Sequence, residues 1–174
     1  LAYKAGNTSR LVREFIELYN SAPSNIVLCH AAQPALPWSI EDDGGAAFAL
    51  PWACAIASQS YVVIVGEGID PDAFRTKHAV PEEVPVLGPC LRSFGNGGDC
   101  VKLFKPDSTL PAGYAPVLVE EVPYRDGSPW PREADGDGPS LQRISPESFS
   151  ADPSSWQAGV PGGSPGRAVP EPAC

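Results

Sequence analysis

Catalysis or metal binding in this chain would have to come from one serine motif, two histidines and two runs of acids. Residues 162–166, Gly-Gly-Ser-Pro-Gly, satisfy G-x-S-x-G, the pattern in which a sharp strand-to-helix turn exposes a serine nucleophile. Pro165 stands where that helix would begin, within a Pro/Gly-rich stretch, so Ser164 is not expected to be catalytic. His30 and His78 are the only histidines, and neither has a cysteine or acid at a matching spacing. Packed or surface roles are expected for both. Glu133, Asp135 and Asp137 alternate ahead of Gly138, as the oxygen ligands and glycine of a calcium loop do. The twelfth position of such a loop should be a bidentate glutamate and is Ile144, while Leu141 fills another ligand position, which excludes an EF-hand. A looser calcium site at Glu133, Asp135 and Asp137 competes with an Asp/Gly turn whose carboxylates are solvated, and the turn is the expectation. Glu41, Asp42 and Asp43 read as a second exposed acidic loop. There is no phosphate-binding loop and no dinucleotide fingerprint, so neither an enzyme nor a cofactor is expected.

The five cysteines, Cys29, Cys54, Cys90, Cys100 and Cys174, form no C-x-x-C and no zinc-finger spacing. In a reducing compartment they are scattered thiols; in an oxidising one, four of them make two bridges. Four cysteines allow three pairings, of which Cys90–Cys100 and Cys29–Cys54 are preferred. Cys174 is then free, joined to another chain, or paired outside this sequence. Scarce lysine and a Pro/Gly-rich end fit an extracellular, cell-surface or periplasmic protein. With 12 basic against 21 acidic residues and a net charge of −9, the surface repels phosphate, and nucleic acid is not an expected partner. No run of 18 apolar residues occurs, so no membrane insertion is expected from this segment, and the amino end does not read as a leader. Asn7-Thr8-Ser9 fits an N-glycosylation acceptor, relevant only in a secretory host.

The elements that would position these residues are short strands. With 21 prolines and 17 glycines among 174 residues, long helices are not expected. In "EFIELY" (14–19), Ile16 and Leu18 face one way and Phe15, Glu17 and Tyr19 the other. Further strands are read at 25–29, 38–42, 46–50, 61–65, 100–104 and 116–122, each bounded by turn residues, with Val101 and Leu103 on one face of theirs. The one persuasive helix start is "DPDAFRTKH", where Asp70 caps, Pro71 takes the first helical position, and Lys77 and His78 meet the negative end. Residues 1–160 are assigned to one all-β domain, and 161–174 to a Pro/Gly-rich tail or linker.

Several stretches, in order, carry a resemblance: "EFIELYN" (14–20), "FGNGGDCVKLF" (94–104), "VPYRDGSPWPREADGDGPSLQRI" (122–144), "DPSSWQAG" (152–159) and "GGSPG" (162–166). Together they resemble the lamin tail domain, an immunoglobulin-like module of nuclear lamins and of exported or surface proteins in bacteria. The resemblance spans roughly Phe15 to Gly166. It implies an immunoglobulin-like β-sandwich with one short helix and long loops, in which Asn96, Gly97, Gly98 and Asp99 form a tight connection, and Trp130 and Trp156 pack against the sandwich. Trp38 takes the place of a tryptophan that usually follows the "ELYN" strand. Leu141 and Ile144 are expected to re-enter the core. Trp52 is left as a single candidate exposed ring, which is no sugar-binding platform. The first strand is curtailed to "LAYK", an edge open to another chain's strand.

The function these features imply is a non-catalytic structural or protein-interaction module of an exported bacterial protein or surface assembly, with other protein subunits as partners. An accessory domain of a secreted nuclease or phosphatase, and a calcium-stabilised adhesion module, are the alternatives.

Overall fold

The computed structural model describes residues 2–3, 14–45, 47–51, 54–89, 95, 97–107, 116–134 and 138–168. The strands are β1 (Ala2–Tyr3), β2 (Phe15–Tyr19), β3 (Ile26–Val27), β4 (Ser39–Glu41), β5 (Ala47–Ala49), β6 (Ala55–Ile56), β7 (Tyr61–Val65), β8 (Val86–Leu87), β9 (Gly98–Lys105), β10 (Val117–Arg125), β11 (Pro139–Arg143) and β12 (Trp156–Pro161). One α-helix, α1 (Pro71–His78), lies between β7 and β8. The architecture is all-β with one short helix.

Two sheets hold most of the chain, one in the order β12-β11-β1-β2-β7-β8 and one in the order β10-β9-β4-β5; β3 and β6 form a separate pair. Side chains alternate faces along an extended strand, and the alternation sorts both sheets. Ile16, Leu18, Val62, Ile64 and Leu141 from the first sheet share one buried cluster with Ile40, Val101, Leu103, Val122 and Tyr124 from the second. The opposite face of the first sheet carries its own buried cluster, in which Phe15, Val63 and Val65 meet Ile69, Phe74, Val80 and Val84.

That second cluster is assembled by α1. Asp70 accepts a hydrogen bond from the Ala73 N–H at 2.7 Å and Pro71 opens the helix, as expected. Phe74 is driven onto Phe15, with ring centroids 5.5 Å apart. Arg75 then donates to the Pro81 and Val84 carbonyls at 2.5 and 2.7 Å, tying the following loop to the helix.

Two tryptophans seal the main core. Trp130 and Trp156 are buried with ring centroids 6.1 Å apart, and the Trp156 indole N–H donates to the Ser150 carbonyl at 2.8 Å. Trp38 packs, half-buried, against the same cluster.

Three expectations are corrected. Among the described residues no two sulfurs lie at bonding distance, and Cys29, Cys54 and Cys100 are free thiols. Strand alternation separates the expected Cys29–Cys54 pair. The Leu28 N–H donates to the Cys54 carbonyl at 3.0 Å and both residues face the core, so Cys29, one residue on, turns away. Cys100 sits opposite Pro123 on the face of β9 turned from Val101, and its expected partner Cys90 lies outside the described residues, as does Cys174. Leu141 is in the core but Ile144 is 57% exposed, because a three-residue step along extended backbone changes face. Residues 161–168 do not leave the body at position 161. Pro165 and Gly166 are buried, and a side chain at Gly166 would meet Val80 and Pro81 at 3.0 and 3.1 Å.

Candidate interaction surface

Ser164, His30, His78 and Asp43 are each engaged in structural contacts. Ser164 Oγ accepts a hydrogen bond from the Gln142 amide at 2.8 Å, which fixes the 162–166 segment to β11. His30 Nδ1 accepts the Ala32 N–H at 3.1 Å, closing a local turn. His78 stacks on Phe74 with centroids 4.3 Å apart. Glu133 is exposed in the 3-10 turn Arg132–Ala134, while Asp135 and Asp137 lie outside the described residues. Among the described residues no three His, Cys, Asp or Glu side chains converge as metal ligands. Asp43 meets Lys102 at 3.1 Å. Trp52, Asn96 and Asn7 also fall outside the described residues.

At the start of β9, Gly98 and Asp99 are held by specific contacts. Asp99 accepts three backbone N–H groups, from Gly95 and Asp43 at 3.1 Å each and from Cys100 at 2.8 Å. The Tyr124 hydroxyl donates to the Gly95 carbonyl at 2.8 Å from the neighbouring strand. Gly98 has φ +132°, and a Cβ there would lie 2.8 Å from the Tyr124 carbonyl oxygen. Only glycine fits at Gly98; Gly97, next to it, is exposed. Asn20 performs the matching task at the end of β2. It is 1% exposed, its amide donates to the Ser24, Ile56 and Ala57 carbonyls, and its oxygen accepts the Ala22 N–H. Each polar group is used, so the asparagine is a keystone of the turn.

Two features missed in the sequence stand out. Glu17 lies on the outward face of β2, where alternation alone would suggest solvent, yet it is 8% exposed beneath the 162–166 segment. Its carboxylate accepts the Gly166 N–H. Burial pushes the Glu17 carboxyl up to about 7, partly opposed by that hydrogen bond. Tyr61, across the sheet, is pushed up to about 12 by its own burial and then by the Glu17 charge. The presence of Phe15 on the same face as Glu17 was the available signal, since large apolar residues on both sides of a strand, Phe15 on one and Ile16 and Leu18 on the other, call for cover on both.

The second feature is apolar surface around one mouth of the core. Val117, Leu118 and Val119 are 39%, 45% and 43% exposed on β10, the end strand of its sheet. A bulge between Leu118 and Glu120 turns Val119 toward a cavity of about 540 Å³ whose floor includes Leu18, Leu28, Ile56 and Leu103. Arg143 bridges the mouth, pairing with Glu120 of β10 and donating to the Ser148 carbonyl. Ile144 stands exposed on the same rim. End strands of soluble proteins usually carry charge, so three consecutive exposed aliphatic residues mark a surface suited to contact.

No family model matches the chain, and no match was found among curated proteins or solved structures.

Proposed function

We propose that this chain is an immunoglobulin-like β-sandwich of the lamin-tail type, acting as a non-catalytic structural or protein-interaction module of an exported bacterial protein or surface assembly. Support for the sandwich comes from two sheets that contribute to one apolar cluster, from the buried Trp130 and Trp156 pair, and from the Gly98-Asp99 turn. The exported setting rests on composition and on the family resemblance, since Cys29, Cys54 and Cys100, expected in the disulfides that first argued for it, are free thiols. The observation that carries the interaction role is the exposed aliphatic end of β10, where an extended segment of another protein can add main-chain hydrogen bonds and cover Val117, Leu118 and Val119. A photo-crosslinking residue in place of Leu118, in the protein as made by its own cells, tests this. Discrete adducts at position 118, with none at the exposed Asp72 of α1, are expected. Absence of adducts at 118, or equal labelling at both positions, overturns the reading.

A further inference from the structure

Residues 162–168 run from the end of β12 to the loop that follows α1. In the sheet order β12-β11-β1-β2 this strap crosses three strands, on the face turned away from the main core. Its first residue, Gly162, donates to the Gly138 carbonyl at 2.8 Å. A Cβ at Gly163 would lie 3.3 Å from the Phe15 ring and 3.4 Å from Ser140 Oγ. Further along, Ser164 accepts from Gln142, Gly166 donates to Glu17, and the Arg167 guanidinium donates to the Ala79 carbonyl. Gly166 is wedged against Val80, Pro81 and Val84.

Apolar contact with Phe15, Val80 and Val84 holds the strap down, but much of what it covers is polar. Ser140, Gln142 and Glu17 beneath it are 0%, 4% and 8% exposed. Ser140 Oγ and Gln142 Oε1 have no hydrogen-bond partner among the described residues. Closure therefore buries oxygen atoms that it does not satisfy, and opening returns them to water. Glu17 adds a charge to this imbalance. Tyr61 on β7 and Tyr19 on its own strand are the titratable groups alongside it. Arg75 of α1 is engaged by the Pro81 and Val84 carbonyls and Arg167 of the strap by Ala79, and among the described residues no basic side chain forms an ion pair with Glu17. Its carboxyl is raised to about 7 by burial, against which the Gly166 bond and then the amino-terminal charge act.

We propose that residues 162–168 are a proton-gated strap, seated while Glu17 is neutral and released as Glu17 ionises, which uncovers Phe15 and the Ser140 and Gln142 side chains of β11. With the strap open, Glu17 is in water and titrates at its ordinary 4.5. Each pH unit between that value and about 7 therefore favours opening by up to about tenfold. Below 4.5 both states hold the proton and the strap no longer responds to pH. The device distinguishes mildly acidic from neutral surroundings.

Amide protection factors measured by NMR at pH 5 and pH 8, corrected for the intrinsic pH dependence of exchange, test the strap. Gly166 reports on it, and Ile64, buried in the same sheet, reports on the body. Protection of Gly166 is expected to fall at least about tenfold from pH 5 to pH 8 with Ile64 unchanged, and Glu17→Gln is expected to keep Gly166 protected at both. No fall at Gly166, an equal fall at Ile64, or the same fall in Glu17→Gln overturns the proposal. A second variant leaves Glu17 intact. Gly166→Ala unseats the strap, because its Cβ would strike Val80 and Pro81 at φ +76°. By reciprocity, the Glu17 carboxyl followed by carbon NMR then titrates at least about one pH unit below its position in the parent. An unchanged midpoint overturns the coupling. β10 lies in the other sheet and is unaltered in both variants, so these outcomes are separate from that of the crosslinking test.

Discussion

Replacing Glu17 with glutamine removes a buried ionisable group while keeping an oxygen that accepts the Gly166 N–H. The folded-state carboxyl titrates near 7 instead of 4.5, chiefly because burial penalises its charged form. At roughly 1.4 kcal/mol per unit, that difference corresponds to about 3 kcal/mol. Between these two pH values the folded protein holds a proton that the unfolded chain has released. Stability contributed by this site is therefore complete below about 4.5, falls as pH rises, and is fully lost above about 7. Glu17→Gln abolishes the slope belonging to this group. Urea unfolding followed by tryptophan fluorescence, at intervals from pH 4 to pH 8, measures it, with Trp130 and Trp156 as buried reporters. The difference between the two proteins isolates Glu17, because every other carboxylate titrates in both. The variant is expected to match the parent at pH 4 and to exceed its stability by up to about 3 kcal/mol at pH 8. A difference that does not change with pH, or a variant less stable at pH 8, refutes the argument that the carboxyl is buried at a cost.

Two further substitutions probe the turn and the indole seal. Gly98→Ala places a Cβ 2.7 Å from Arg125 Cδ and 2.8 Å from the Tyr124 carbonyl oxygen at φ +132°, so a loss of about 1–3 kcal/mol or more is expected by urea denaturation. Gly127→Ala, with open space around the site, serves as the tolerated control. Trp156→Phe keeps an aromatic ring but removes the donor to the buried Ser150 carbonyl, and a loss of about 1–3 kcal/mol is expected from that unpaired group before any packing change. Retention of full stability, measured by thermal and urea unfolding, would remove the hydrogen bond from the account of the core.

Local chemistry in the sequence determined which residues share a strand face and where the helix begins. Ile16 and Leu18 part from Phe15 and Glu17, and Val101 and Leu103 from Cys100 and Lys102, because extended backbone alternates side chains whatever they pack against. Asp70-Pro71 starts α1 because capping and a fixed proline φ act within one turn. Tertiary structure alone decided what covers each face. Alternation placed Glu17 opposite the core but could not show that α1 and residues 162–166 cross that face and exclude water from it. The same limit applied to the cysteines, where spacing allowed Cys29 to meet Cys54 and the pairing of Leu28 with Cys54 turned Cys29 away. It applied again to Val117, Leu118 and Val119, since the sequence does not reveal that β10 ends its sheet. Burial and strand registry depend on contacts between residues far apart in the chain, and those contacts exist only once the sheets have formed.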